Sequence, residues 1–121
     1  MTLEEIAREL VAGCREGREK DNLDRLYAAD AVSVEAEDFG NGSEVQGVPA
    51  IAAKHDWWEG AVEMLEASVE GPFLHGPDRF AVIFGMKTRS RDTGEVSEAR
   101  EVALYTVSGG RIAREEFFYA Q

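Results

Sequence analysis

The chain has a single cysteine, Cys14, so it can close no internal disulfide and build no cysteine-rich zinc site. Its two histidines, His55 and His75, lie far apart, which leaves a histidine-rich metal centre without ligands. No apolar run approaches the ~18 residues of a membrane span. The opening MTLEE is nothing like a secretory signal, and a cytoplasmic protein is expected. Positive charge is scarce: 13 Lys and Arg stand against 24 Asp and Glu, for a net charge of −11. That sign repels phosphate backbones and anionic lipid heads, which argues against nucleic acid and membranes as partners. Glycine pairs occur only in turns, there is no phosphate-binding loop, and no serine has the setting of a nucleophile. No metal and no cofactor is expected.

What remains is an ordinary globular balance, 44% hydrophobic and 31% charged over 121 residues, which suits one domain, residues 1–121. Thr2 and Glu5 form a capping box before Leu3, Ile6, Leu10 and Cys14, whose spacing predicts an amphipathic helix over 3–19. Cys14 falls on the apolar stripe, where a buried, inert thiol is expected. Asp21 or Asn22 then caps a short helix carrying Leu23, Leu26 and Tyr27. "DAVSVEAEDF" switches to period two, a strand with Val32 and Val34 opposed to Ser33 and Glu35. "GNGSEVQG" reads as a glycine-rich loop or short hairpin. Pro49 suits the first turn of a third helix. There Ile51, His55, Trp58 and Val62 form one stripe and Ala50, Ala53, Trp57 and Ala61 a second, predicting cover on more than one side. Four strand-like segments complete the chain, separated by "GPD", "DTGE" and "SGGR". The order is α-α-β-α and then a β meander. It predicts an α+β domain with helices on one face of a curved antiparallel sheet.

Two-residue turns would set the register of the meander. A turn at Thr93–Gly94 places Met86 opposite Glu101 and Phe84 opposite Ala103. A turn at Gly109–Gly110 places Val107 opposite Ile112, Tyr105 opposite Arg114 and Ala103 opposite Glu116. Phe80, Val82, Phe84, Glu101, Ala103, Tyr105, Arg114, Glu116 and Phe118 then share the face toward the helices. Ile83, Val102, Leu104, Phe117 and Tyr119 share the other. That second face is apolar enough to need covering, and a homodimer through it is the expected solution.

"LDRLYAADAVSVE", "QGVPAIAAKHDWW" and "YTVSGGRIAREEFFYA" together resemble the SnoaL-like polyketide cyclase group of the nuclear transport factor 2-like superfamily, over essentially the whole chain. The resemblance implies a cone-shaped α+β barrel, three N-terminal helices on a curved sheet, with a pocket for small, largely apolar molecules. Superfamily members include isomerases, cyclases, dehydratases, epoxide hydrolases and non-catalytic binding domains, so the fold does not choose a reaction.

The expected register gathers Glu101, Glu116 and Arg114, where the Arg could hold one carboxylate ionised while the other keeps a raised pKa for acid–base work. A structural ion pair at a wet rim is the competing reading. Tyr105 could donate to a developing oxyanion or be a core aromatic. His55 could be a base or a hydrogen-bonded core residue. Trp58, Tyr27, Phe73, Phe84 and Phe118 would supply ligand-binding walls. Two functions follow: a cofactor-free acid–base enzyme on a small apolar or carbonyl-bearing molecule, or a non-catalytic ligand-binding or accessory domain.

Overall fold

A computed structural model describes residues 1–38 and 42–119. Helices α1 (Leu3–Arg15) and α2 (Glu19–Leu26) lead into strand β1 (Tyr27–Val34). The short β2 (Glu44–Gln46) and helix α3 (Val48–Ala61) follow. The meander comprises β3 (Val62–His75), β4 (Arg79–Ser90), β5 (Val96–Ser108) and β6 (Arg111–Tyr119). The six strands form one sheet in the order β2-β1-β6-β5-β4-β3. Every pairing is antiparallel except β1 with β6, which is parallel. The sheet is curved and open, and the three helices pack on it. "GNGSEVQG" supplies β2 as the return arm of a hairpin, Val34 opposing Glu44, although Phe39–Asn41 lie outside the described residues.

The Thr2–Glu5 capping box is formed in both directions. Helix α1 ends at Arg15, before the expected boundary, and Gly17 takes φ 71° beyond it. Helix α2 begins ahead of Asp21, so neither Asp21 nor Asn22 caps it. Asn22 is instead buried and donates to the Leu10 carbonyl at 3.1 Å. Its amide lies against Gly13, where any Cβ would fall within 2.3 Å of the Asn22 side-chain oxygen, so the helices cross at a position that needs glycine. Ile6, Leu10, Leu26, Ile51, Phe80, Val82, Ala103 and Ile112 are almost wholly buried. Each large aliphatic among them contributes ~2 kcal/mol by leaving water. Phe80 and Tyr105 stack at 4.8 Å between ring centroids.

Only Ile51 of α3 is buried, while Ala53 and Trp57 are exposed, so the helix is covered on one side rather than several. The sheet register differs from the expected one in two places. The β4–β5 connection uses a longer loop, with the Ser90 N–H bonded to the Glu95 carbonyl at 2.8 Å. Ala103 therefore opposes Val82 rather than Phe84, and Glu101 opposes Phe84 rather than Met86. That slip is even and leaves every side chain on its expected face.

The second difference does not preserve the faces. Gly109 and Gly110 (φ 62° and 76°) form the expected hairpin turn, and Val107 opposes Ile112 as expected. Thr106 then opposes Arg114, because Ala113 is an extra residue, a β-bulge. From there Tyr105 opposes Glu115, Ala103 opposes Phe117 and Glu101 opposes Tyr119. Arg114, Glu116 and Phe118 turn to the outer face, the reverse of the expected arrangement. The physical reason is burial. A regular strand would press Arg114 and Glu116 into the core beside Ile112, whereas the bulge submits one carboxyl, Glu115, in their place.

Candidate active site

The inner face of the sheet holds a file of polar groups that runs from half-buried Glu35 and Tyr119 into the core. At its deep end lies Glu115, 2% exposed. Tyr27, the first residue of β1, donates its hydroxyl to Glu115 Oε2 at 2.8 Å. The other carboxyl oxygen, Oε1, is buried without a hydrogen-bond partner among the described residues. Burial pushes the Glu115 carboxyl above its ordinary range, while Tyr27, Lys54 and Ser33 pull it back. Burial and the adjacent Glu115 push the phenols of Tyr27 and Tyr105 well up, so both are neutral hydrogen-bonding groups.

Ser33 stands opposite Glu115 in the β1–β6 ladder and is fully buried. Its hydroxyl accepts from Lys54 Nζ at 2.5 Å, and the same ammonium donates to Glu35 Oε1 at 2.8 Å. Lys54 also lies 5.2 Å from the centroid of the Phe117 ring. Tyr119 closes the outer end by donating to Glu35 Oε2 at 3.4 Å; burial first, then Glu35, pushes its phenol up to about 12. Glu101 lies beside this outer end, half-buried, and opposes Tyr119 on one side and Phe84 on the other. Burial, reinforced by Glu35, pushes its carboxyl up to about 7.

Of the residues expected at the site, Glu101 and Tyr105 share the inner face with Glu115, and Tyr27 is its direct partner. Glu116 and Arg114 are elsewhere, a correction that follows from the Ala113 bulge. They pair with each other at 3.2 Å on the outer face, where Arg114 also meets Glu44 at 3.7 Å. Phe118 is on that face too, 50% exposed. His55 is half-buried on α3, and burial followed by Lys54 pushes its imidazole down toward the neutral form. Phe84 is half-buried on the inner face, while Trp58 and Phe73 are exposed. Cys14 packs against the core, and burial pushes its thiol up to about 12, so it is inert at neutral pH. Among the described residues no three His, Cys, Asp or Glu side chains are grouped as metal ligands.

Of two surface depressions, one lies away from this file and one touches its deep end. One of about 490 Å³ sits over Gly85 and Ser68 on the far end of β3–β5. Another of about 430 Å³ lies between Leu23, Val48 and Arg111 and reaches Tyr27. Geometry and chemistry favour the Glu115 file over either, since it alone brings a buried carboxyl, phenols and an ammonium together.

Ser33, Glu35 and Lys54 carry a sequence signal that Glu115 lacks. Ala31, Ser33 and Glu35 alternate onto one face, and Lys54 follows Ile51 by one helical turn.

Glu101 carries a pH prediction. Its folded pKa of about 7 lies above the ordinary 4.5, so ionisation opposes folding. Its favourable contribution is full below pH about 4.5 and is lost as pH rises through about 7. Allowing for partial exposure, the loss should reach about 2 kcal/mol. Urea titrations should show the Glu101→Gln variant gaining on the wild type by that amount between pH 5 and pH 8. Parallel curves would contradict the assignment.

An open curved sheet carrying three helices, with polar groups turned to the helix side, defines the nuclear transport factor 2-like class. Within that class the chain belongs to the SnoaL-like domain family, whose model matches residues 1–119. A candidate SnoaL-like polyketide cyclase from Mesorhizobium loti is 35% identical, with 98% of this chain and 100% of that one aligned at a TM-score of 0.91. A candidate isomerase from Bacillus subtilis, 17% identical, aligns over 99% and 90% at a TM-score of 0.79. A computationally designed 17-OHP binder, 24% identical, aligns over 99% and 95% at 0.72. The last two likenesses concern the fold alone. No curated protein matches the sequence significantly. Among the described residues no helix is long and apolar enough to cross a membrane.

Proposed function

We propose that the chain binds a small, mainly apolar or carbonyl-bearing molecule and performs cofactor-free acid–base chemistry on it, with Glu115 as the proton-transfer group. One observation carries the reading: a carboxyl buried in an apolar core, held by Tyr27 at one oxygen and left unpartnered at the other. Such a group has a raised proton affinity and one oxygen not committed to a hydrogen bond. In the reaction envisaged, Oε1 takes a proton from the carbon beside a carbonyl. The electron pair moves onto the carbonyl oxygen, where Lys54 stabilises the developing charge. Returning the proton to a different carbon completes an isomerisation. Returning it to the same carbon leaves only exchange.

Exchange is therefore the test, with benzylacetone in D₂O as probe. The protein should accelerate loss of the α-proton signals, and Glu115→Gln should reduce the rate about 100-fold or more while benzylacetone still binds. Binding with no exchange in the wild type would favour the non-catalytic alternative.

We further propose a homodimer through the outer sheet face in a cytoplasmic setting. Ile83, Val102 and Leu104 support it as expected, with Phe118 in place of Phe117 and Tyr119, which the bulge turns inward. Sedimentation at micromolar concentration should give a dimer that Phe118→Glu dissociates; a wild-type monomer would end the proposal.

A further inference from the structure

Glu101 makes no hydrogen bond or ion pair with any described residue, although it is half-buried. Its neighbours are otherwise engaged. Glu35 is taken by Lys54 and Tyr119, and Lys54 by Glu35 and Ser33. Glu115 Oε1 lacks a partner further in, so Glu101 and Glu115 are two carboxyls without an ion-pair partner among the described residues. The register adds a second observation. Phe84, Glu101 and Tyr119 are consecutive across three neighbouring strands, a carboxyl flanked in one row by two aromatic side chains. In the same space the Phe117 ring already has an ammonium, that of Lys54, beside it.

We propose that the outer end of the file accepts a small, largely apolar amine, its ammonium seated on Glu101 between Phe84 and Tyr119. The proposal rests on the reading that this end admits the ligand to Glu115. An ammonium gains the carboxylate charge and the negative faces of the flanking rings, both strengthened by partial removal from water. A carboxylate ligand meets repulsion from Glu35, Glu101 and Glu115, and a ketone meets neither effect. The carboxyl position near neutrality fits, because an arriving ammonium replaces the proton that Glu101 otherwise holds against Glu35 and Glu115, with Lys54 the nearby cation.

The test compares three probes of closely matched shape: benzylacetone, the corresponding amine and hydrocinnamate. NMR titrations at pH 7 should show the amine binding about tenfold tighter than the ketone, with hydrocinnamate the weakest. Glu101→Gln should bring the amine down to the level of the ketone and leave the ketone within about twofold. Tyr119→Leu should cost the amine about threefold, a second readout should the first variant fold poorly. Equal affinities for amine and ketone, or an amine preference that survives Glu101→Gln, would overturn the proposal. Glu115-dependent exchange of benzylacetone in that case would leave the acid–base reading standing. Failure of all three probes to shift resonances of Phe84, Phe117 or Tyr119 would remove both.

Discussion

Glu115→Gln should make the protein more stable at neutral pH while removing the proposed exchange activity. A carboxyl with raised proton affinity is a group the fold would rather keep neutral, and the amide is neutral at every pH. Glutamine keeps the shape and can still accept from Tyr27 at the position of Oε2. Its amide nitrogen is left as unpartnered as Oε1 was, so the gain is limited to the charge, about 2 kcal/mol by analogy with other buried ionisable groups. The sign follows from the raised pKa. The carboxyl's favourable contribution is complete below its unfolded value and lost as pH rises through the folded one. The variant should therefore match the wild type in acid and exceed it progressively toward pH 8. Urea midpoints over that range check it, and a variant less stable at pH 8 than at pH 4 relative to the wild type would show that the carboxylate is well solvated. Gain of stability with loss of exchange would mark Glu115 as a group kept for chemistry.

Deleting Ala113 should leave the faces of β6 as they are, although a deletion inside a central strand is ordinarily disruptive. Ala113 is a small, half-buried residue with no polar side chain, and it is the extra residue of the strand, without a partner on β5. Its removal takes out the bulge and joins Ile112 directly to Arg114, so a regular β6 still sets Arg114 against Thr106, Glu115 against Tyr105 and Phe117 against Ala103. The expected result is a cooperative urea transition within about 2 kcal/mol of the wild type, with the Glu115-dependent exchange retained. Ala113→Gly, which keeps the extra residue, should cost about 1 kcal/mol. A deletion variant without cooperative unfolding would show that the local twist of the bulge, and not its residue count alone, holds the sheet together.

The same bulge marks the limit of what could be read from the residues. Helix α1 was legible because Thr2, Glu5 and the spacing of Leu3, Ile6 and Leu10 all agree. The meander was legible because period two persists between turn signals, and the Gly109–Gly110 turn was placed correctly for its demand for positive φ. The faces of β4 and β5 survived a wrong turn at Thr93–Gly94 because the error was even. The face of β6 did not, because one residue was enough to invert it. Nothing local announces a bulge at Ile112–Ala113–Arg114. It arises from competition between burying one carboxyl and burying an Arg with a Glu, which only the assembled core decides. Glu101, Tyr105 and Phe84 thus lie on the inner face as expected. Glu115, the residue at the centre of the proposed site, was assigned to the outside. Ser33 is misleading because alternation sets it with Glu35 opposite Val32 and Val34, as on a solvent face, and Lys54 because it belongs to neither apolar stripe of α3.

The parallel pairing of β6 with β1 also has a consequence for how the chain is made. Strand β6 is the last described strand to be synthesised, yet it occupies the middle of the sheet, between β1 and β5. The β3–β4–β5 meander can zip from its own hairpins as it leaves the ribosome, while β1 and β2 must wait for a partner encoded some eighty residues later. Until β6 arrives, the nascent chain is two half-sheets with open edges, each able to pair with a stranger. The strand that installs Glu115 is therefore also the one that joins the halves, and no folded but siteless intermediate is available to the complete sheet.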